Sequence, residues 1–179
     1  GRIIETLRRL DLMENTLIIF TSDNGGYRHY GDTHFNISSN GPFRGQKTQV
    51  YEGGHRVPFL AWWPGTIRPG TVSNELVMSM DMYPTFLELA GTERPSELHL
   101  DGVSIASHLL EKNPLPDRAV CWKIGDRRAI RQGPWKLCLI GNKEPELYNL
   151  SHDIGETEDL AGNNPELVRQ LTAAYTEWE

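Results

Sequence analysis

The chain has 179 residues, enough for one sizeable domain or for one domain with a small appendage. Apolar residues make up 38% and charged residues 23%, a balance that fits a globular chain rather than a disordered or fibrous one. A formal net charge of −6 argues against a nucleic-acid binder, and no apolar run approaches the roughly 18–20 residues of a membrane-spanning helix.

The opening "GRIIETLRRLDL" reads as an amphipathic helix, with Ile3, Ile4, Leu7, Leu10 and Leu12 on one stripe and Arg2, Glu5, Arg8 and Arg9 off it. Gly1 stands where a Met would begin a chain, and no signal-peptide pattern precedes the helix, so the expectation is that sequence was removed ahead of it. "TLIIFT" (16–21) is a short apolar run of the kind a buried parallel strand needs, and it stops at "SDNGG" (22–26). Helix, turn and buried strand together predict half of an α/β unit. Residues 27–51 lack periodicity, and a loop of that length is functional or disordered. "VPFLAWW" (57–63) gives another strand, stopped by Pro64 and Gly65.

A short strand is expected near 76–78, then a helix over about 81–90 with Asp81 as N-cap, Pro84 in its first turn and Gly91 closing it. A second short helix is expected over 104–110. Pro114 and Pro116 mark a linker, which divides the chain into 1–115 and 116–179. Beyond it "AVCWKI", "RRAIRQG", "WKLCLI" and "ELYNL" predict a small antiparallel sheet, and "NPELVRQLTAAYTEWE" a closing helix capped by Asn164 with Pro165 in first position. Cys121 and Cys138 read as small buried hydrophobes, with a disulfide left open if their strands pair. The sequons at Asn36 and Asn149 are too short to establish glycosylation.

Two segments carry the chemistry. Asp23 and Asn24 follow directly on a predicted strand, at the end where ligands collect in open α/β sheets. A carboxylate and a carboxamide oxygen are hard donors suited to Ca²⁺ or Mg²⁺, although two ligands do not complete such a site. By residue type alone, "SDNGG" reads first as a simple turn. The second segment, "GPFRGQKTQVYEGGHRVPFLAWWPG" (41–65), gathers Arg44, Lys47, Glu52, His55 and Arg56. Cations so clustered hold a tetrahedral oxyanion, with Lys47 as a point charge, or else form a solvated loop.

"TLIIFTSDNGG" followed by "FRGQKTQVYEGGHRVPFLAWWPG", then "MDMYPTFLELAG", "DGVSIASHLL" and "GPWKL…ELYNLSHDIGETEDLA", resembles the second half of the formylglycine-dependent sulfatases, over essentially the whole chain. The resemblance implies an α/β fold: the C-terminal part of an alkaline-phosphatase-like core, followed by a small antiparallel-sheet subdomain with a terminal helix. It implies that Asp23 and Asn24 supply two ligands of an active-site calcium. It also implies that Lys47 contacts the substrate sulfate, with Arg44 and His55 as lesser candidates for substrate binding. His29 and His34, in the variable loop, are further candidates. Arg44, Glu52, Gly53 and Gly54 match the pattern as architecture.

The resemblance implies a sulfuric ester hydrolase acting on a sulfated carbohydrate or aryl sulfate. A hydrated formylglycine would attack sulfur while calcium and cations neutralise the sulfate oxygens. A secreted, periplasmic or lysosomal location is also implied. The family's nucleophile lies in Cys-x-Pro-x-Arg or its serine counterpart, and neither "CWKIG" nor "CLIGN" fits. The nucleophile, the first metal-binding aspartates and the remaining sulfate contacts are therefore expected upstream, on a missing N-terminal part of the same protein. Two other readings stay open: a related phosphodiester or phosphonate hydrolase, and a non-catalytic module that binds sulfated glycans. A parallel sheet without its central strands would expose apolar faces, so this piece alone is expected to be poorly stable.

Overall fold

A computed structural model describes residues 1–31, 34–35, 38–93, 95 and 97–179, with backbone only at 30, 34 and 35. The Asn36 sequon and the side chain of His34 lie outside the described residues.

By compactness the chain divides differently from the split at 115/116: one unit comprises 1–21 and 59–116, the other 22–58 and 117–179. The long polar stretch 22–58 belongs with the C-terminal sheet because its charged and aromatic side chains are partnered there, as described below.

In the first unit, α1 (Arg2–Arg9) has no buried residue, although its apolar stripe is that of a helix meant to pack. Strand β1 (Ile18–Thr21) pairs with β4 (Phe59–Trp62) in antiparallel register, Ile18 opposite Trp62 and Thr21 opposite Phe59. This corrects the expected buried parallel strand. Ile18 and Ile19 are half-buried, while Phe20 is 65% and Leu60 58% exposed. Residues 76–78 form no strand.

Helix α3 (Met82–Leu89) follows a 3₁₀ turn, and Asp81 does not cap it as the sequence predicts. Its buried carboxylate instead accepts the backbone N–H groups of Met78 (2.7 Å) and Val103 (3.0 Å). Thr85 donates to the Asp81 carbonyl and accepts from the Ile105 N–H, which docks the chain ahead of α4 (Ala106–Glu111). Gly91 closes α3 at φ +64°, a conformation glycine adopts freely.

In the second unit, β5 (Ala119–Ile124), β6 (Arg127–Gln132), β7 (Trp135–Ile140) and β8 (Glu146–Asn149) form the predicted antiparallel meander in sequential order. Side chains alternate between its two faces. Ile130, Leu137 and Leu147 on one face pack on Leu171 and Tyr175 of α5 (Pro165–Trp178). Pro165 opens α5 as expected, but Asn164 donates back to the Leu160 carbonyl instead of capping it. Ala129, Cys138 and Tyr148 on the other face pack on Val50 and Tyr51. Cys121 and Cys138 are both free: β6 lies between their strands, and they belong to opposite apolar layers. Burial pushes the Cys121 thiol up to about 11 and the Cys138 thiol to about 12, so neither is reactive. Short strands β2 (His29–Tyr30) and β3 (His34–Phe35) pair with each other.

Candidate functional site

The segment 44–56 folds back on itself around α2 (Glu52–His55), a single helical turn. The Gly53 N–H donates to the Arg44 carbonyl at 2.7 Å, and a Cβ at Gly53 would sit 2.6 Å from the Arg44 and Gly45 oxygens. The Gly54 carbonyl accepts the Gly25 N–H at 2.9 Å, and a Cβ on Gly25 would overlap the Gly53 carbonyl. Backbones approach this closely only where both residues lack a side chain. The Gly-Gly pair thus ties the 44–49 turn to the loop carrying Asp23 and Asn24. Asn40 adds to the tie by accepting the Gly26 N–H and donating to the Gly26 and Gly45 carbonyls. The Lys47 N–H also donates to Gly26, at 3.3 Å.

Asn24 and Lys47 consequently line one cavity of about 210 Å³, with Val50, His55, Trp122 and Ile124 among its other walls; Asp23 does not line it. Lys47 is half-buried, its ammonium 5.6 Å from the centre of the Tyr27 ring, within cation–π range. The adjacent Thr48 lies at φ +74°, a left-handed conformation that costs a β-branched residue about 1–3 kcal/mol. Arg127 of β6 holds it there by donating to the Thr48 carbonyl at 2.7 Å.

The exposed Asp23 carboxylate accepts hydrogen bonds from within its own loop, from the Asn24 N–H at 3.0 Å and the Ser22 hydroxyl at 3.4 Å. Asn24 donates through Nδ2 to the Gly25 carbonyl, which leaves its carboxamide oxygen as the end suited to a cation. These are hard oxygen donors of the type Ca²⁺ takes, two of the six to eight it needs. Among the described residues no group of three or more His, Cys, Asp or Glu side chains forms a metal-binding cluster. The residues present fit a calcium in kind, and the remaining ligands would have to come from elsewhere.

Of the other predicted residues, Arg44 and His55 are engaged by neighbours within the fold. Arg44 donates to the Tyr148 hydroxyl (2.7 Å), the Glu156 carbonyl (3.0 Å), Glu146 (3.3 Å) and the Tyr51 hydroxyl (3.1 Å), and its guanidinium lies 3.8 Å from the Tyr51 ring centre. His55 stacks on Trp122, ring centres 4.1 Å apart. His29 lies in β2 and is exposed, with its backbone paired to the Gln46 amide.

Beneath the site lies a buried charge cluster that the sequence reading missed. Lys136, 0% exposed on β7, places its ammonium 2.8 Å from Glu52 Oε1, 2.8 Å from Glu156 Oε1 and 3.1 Å from His55 Nε2. The approach to Glu156 is off the line of a hydrogen bond and counts as an ion pair. With His55 Nε2 accepting from the ammonium, we assign the ring proton to Nδ1; Val50 O, 3.2 Å from Nε2, is then a close contact only. Burial first, and the neighbouring Lys136 second, push His55 down to about 3, so the ring is neutral. Burial opposes ionisation of Glu52, yet Lys136 and, behind it, Arg131 hold it below the usual carboxylate range. Burial wins at Glu156 and raises it. Arg56 (3.2 Å) and Arg131 (3.7 Å) complete the charge around Glu52 Oε2. A lysine in "WKLCLI" looks like an outward residue of an alternating strand, and only the Glu52 of the distant "YEGGH" would have hinted otherwise.

The sulfatase family model matches residues 1–92 of the chain. An arylsulfatase of Hemicentrotus pulcherrimus is 40% identical over 136 residues, covering 75% of this chain and 24% of its own length. The human N-acetylgalactosamine-6-sulfatase is 41% identical over 126 residues, covering 70% of this chain and 24% of its own. The crystal structure of Ps i-CgsB in complex with k-i-k-neocarrahexaose superimposes with a TM-score of 0.90 at 31% identity, covering 99% of this chain and 39% of that one. The chain thus spans about a quarter of the length of those two curated relatives.

Proposed function

Because this chain belongs to the sulfatase family, we propose that it is the C-terminal part of a sulfuric ester hydrolase acting on a sulfated carbohydrate. One observation carries the reading: the R-G-x-K lysine and the D-N-G-G asparagine, 23 positions apart in sequence, open onto the same cavity. A relative named for N-acetylgalactosamine 6-sulfate and a structural neighbour holding a neocarrahexaose support a sugar as the substrate class.

In this reading Lys47 binds the sulfate oxygens and stabilises the charge that grows on them in the transition state. Asp23 and Asn24 hold a calcium ion, with magnesium as the alternative, and that cation when bound polarises the sulfate. Arg44 and His55 stay with the architecture that places Lys47. The formylglycine nucleophile, the other metal ligands and the other sulfate contacts are supplied by sequence upstream of Gly1. In chain order, residues 1–115 then belong to the catalytic core and 116–179 to the C-terminal subdomain, against whose sheet part of the segment 22–58 packs. A secreted, periplasmic or lysosomal location goes with the reading. Among the described residues no helix is long and apolar enough to cross a membrane.

The test begins with the coding DNA ahead of Gly1. An open frame holding Cys-x-Pro-x-Arg, or its serine counterpart, together with paired aspartates supports the reading. The complete enzyme should then release sulfate from 4-nitrophenyl sulfate and from a 6-sulfated sugar, and lose that activity on chelation of calcium. A start codon or frame break directly ahead of Gly1 refutes catalysis.

A further inference from the structure

The Lys136 ammonium has three partners, of which Glu52 and Glu156 lie beneath the candidate site and His55 in its wall. Glu52 opens α2, which lacks a side-chain cap of its own; its N–H is met instead by Glu156 Oε2 at 2.7 Å. His55 closes α2 and lines the cavity. Between them Gly53 and Gly54 bond to Arg44 and Gly25, the two strands of chain that carry Lys47 and Asn24. The same sheet grips the lysine turn again through Arg127 and Thr48.

A buried ion pair is weak evidence for stability, since well-packed apolar residues of similar volume often do as well or better. What charge adds is a single permitted arrangement: α2 cannot slide or rotate without stranding Glu52 or Lys136 away from its partner. We propose that Lys136 is a positioning residue, which through Glu52 and the α2 turn fixes the relative placement of the cation-binding loop at Asp23–Asn24 and the sulfate-binding Lys47. This rests on the sulfatase reading above. Lys136 itself touches no substrate.

The test uses the complete enzyme and the double substitution Glu52→Gln/Lys136→Met, which removes both members of the Glu52–Lys136 pair and leaves Glu156 the hydrogen bond from the backbone N–H of residue 52. Calcium affinity is measured by isothermal titration, and kcat and KM on 4-nitrophenyl sulfate at limiting and saturating calcium. Outer groups that orient metal ligands typically contribute about 10–100-fold in affinity. The expected result is cooperative melting, a calcium Kd raised about 10–100-fold, and activity that falls at limiting calcium and recovers at saturation. A folded double variant with unchanged calcium affinity and calcium dependence overturns the proposal. If that variant does not fold, Glu52→Gln alone is read in the same way, and loss of folding in both assigns the cluster to structure only and overturns it. Failure of the unmodified enzyme to bind calcium or to cleave the ester is seen before any variant is made; it refutes the functional reading and this inference with it.

Discussion

The two compact units handle apolar surface in opposite ways. Among the described residues, the buried apolar side chains of the first unit are Ile105 and Ala106, whereas the second buries both faces of a four-stranded sheet, from Val50 to Tyr175. The first unit leaves Ile3, Phe20, Leu60 and Trp62 exposed on elements whose sequences are those of core helices and strands. The second goes further and buries a lysine and two glutamates. The lesson is that apolar pattern reports what an element is built to cover, while burial reports what is present to cover it. The first unit is patterned for neighbours, and the second already contains its own.

Four measurements sharpen or break that contrast. The largest effect is expected from Lys136→Met, which takes the nearest cation from buried Glu52 and the paired cation from buried Glu156 and should cost about 3–5 kcal/mol of stability. Calorimetry of the enzyme reads it, and a loss within about 0.5 kcal/mol, the level of a surface change, would mean that the cluster is not buried in solution. Next is Lys47→Ala in the complete enzyme, expected to lower kcat about 100- to 1000-fold with the melting temperature unchanged. Near-normal turnover by that folded variant removes Lys47 from the chemistry.

The third effect is a pH dependence. His55 is held near 3 in the folded chain against roughly 6.5 when unfolded, so the unfolded state takes up the proton first as pH falls. Stability is therefore complete above about pH 6.5 and drains away at about 1.4 kcal/mol per pH unit as pH drops towards 3. Glu52, lowered, adds a loss in the same direction below the carboxylate range; Glu156, raised, opposes it because acid relieves the cost of its charge. The difference between the unmodified protein and His55→Phe isolates the histidine part, since Phe keeps a ring against Trp122 but takes no proton. Parallel stability curves between pH 7 and 5 would show that His55 titrates normally. The smallest effect tests the first unit: Leu60→Ala in this chain should change stability by no more than about 0.5 kcal/mol, against about 2–5 for Leu147→Ala. A large loss at Leu60 would show that its face is covered after all.

Several parts of the molecule were legible in the residues because the signal is local. Four short alternating runs separated by turn residues predict the meander, and Pro165 starts the last helix where its missing N–H costs nothing. Asp23, Asn24 and Lys47 were singled out by residue type and by their place in extended motifs. The direction of β1 was not legible, because an apolar run of four says that both faces can be buried and nothing about which strand lies beside it. Asp81 and Asn164 have the chemistry of caps, yet the Asp81 carboxylate is taken by Val103 across the fold and Asn164 turns back on the Leu160 carbonyl.

By itself, then, the sequence determined the family and most of the element types, and it singled out the residues proposed to bear the chemistry, since periodicity, turn residues and motif spacing act within a few positions of chain. Tertiary structure alone decided that Arg44 and His55 are held inside the fold, that Lys136 meets Glu52 across 84 positions, and that Asn24 and Lys47 share a cavity. Those outcomes depend on through-space distances of about 3 Å and on exclusion of water, and no local pattern of residues encodes either one.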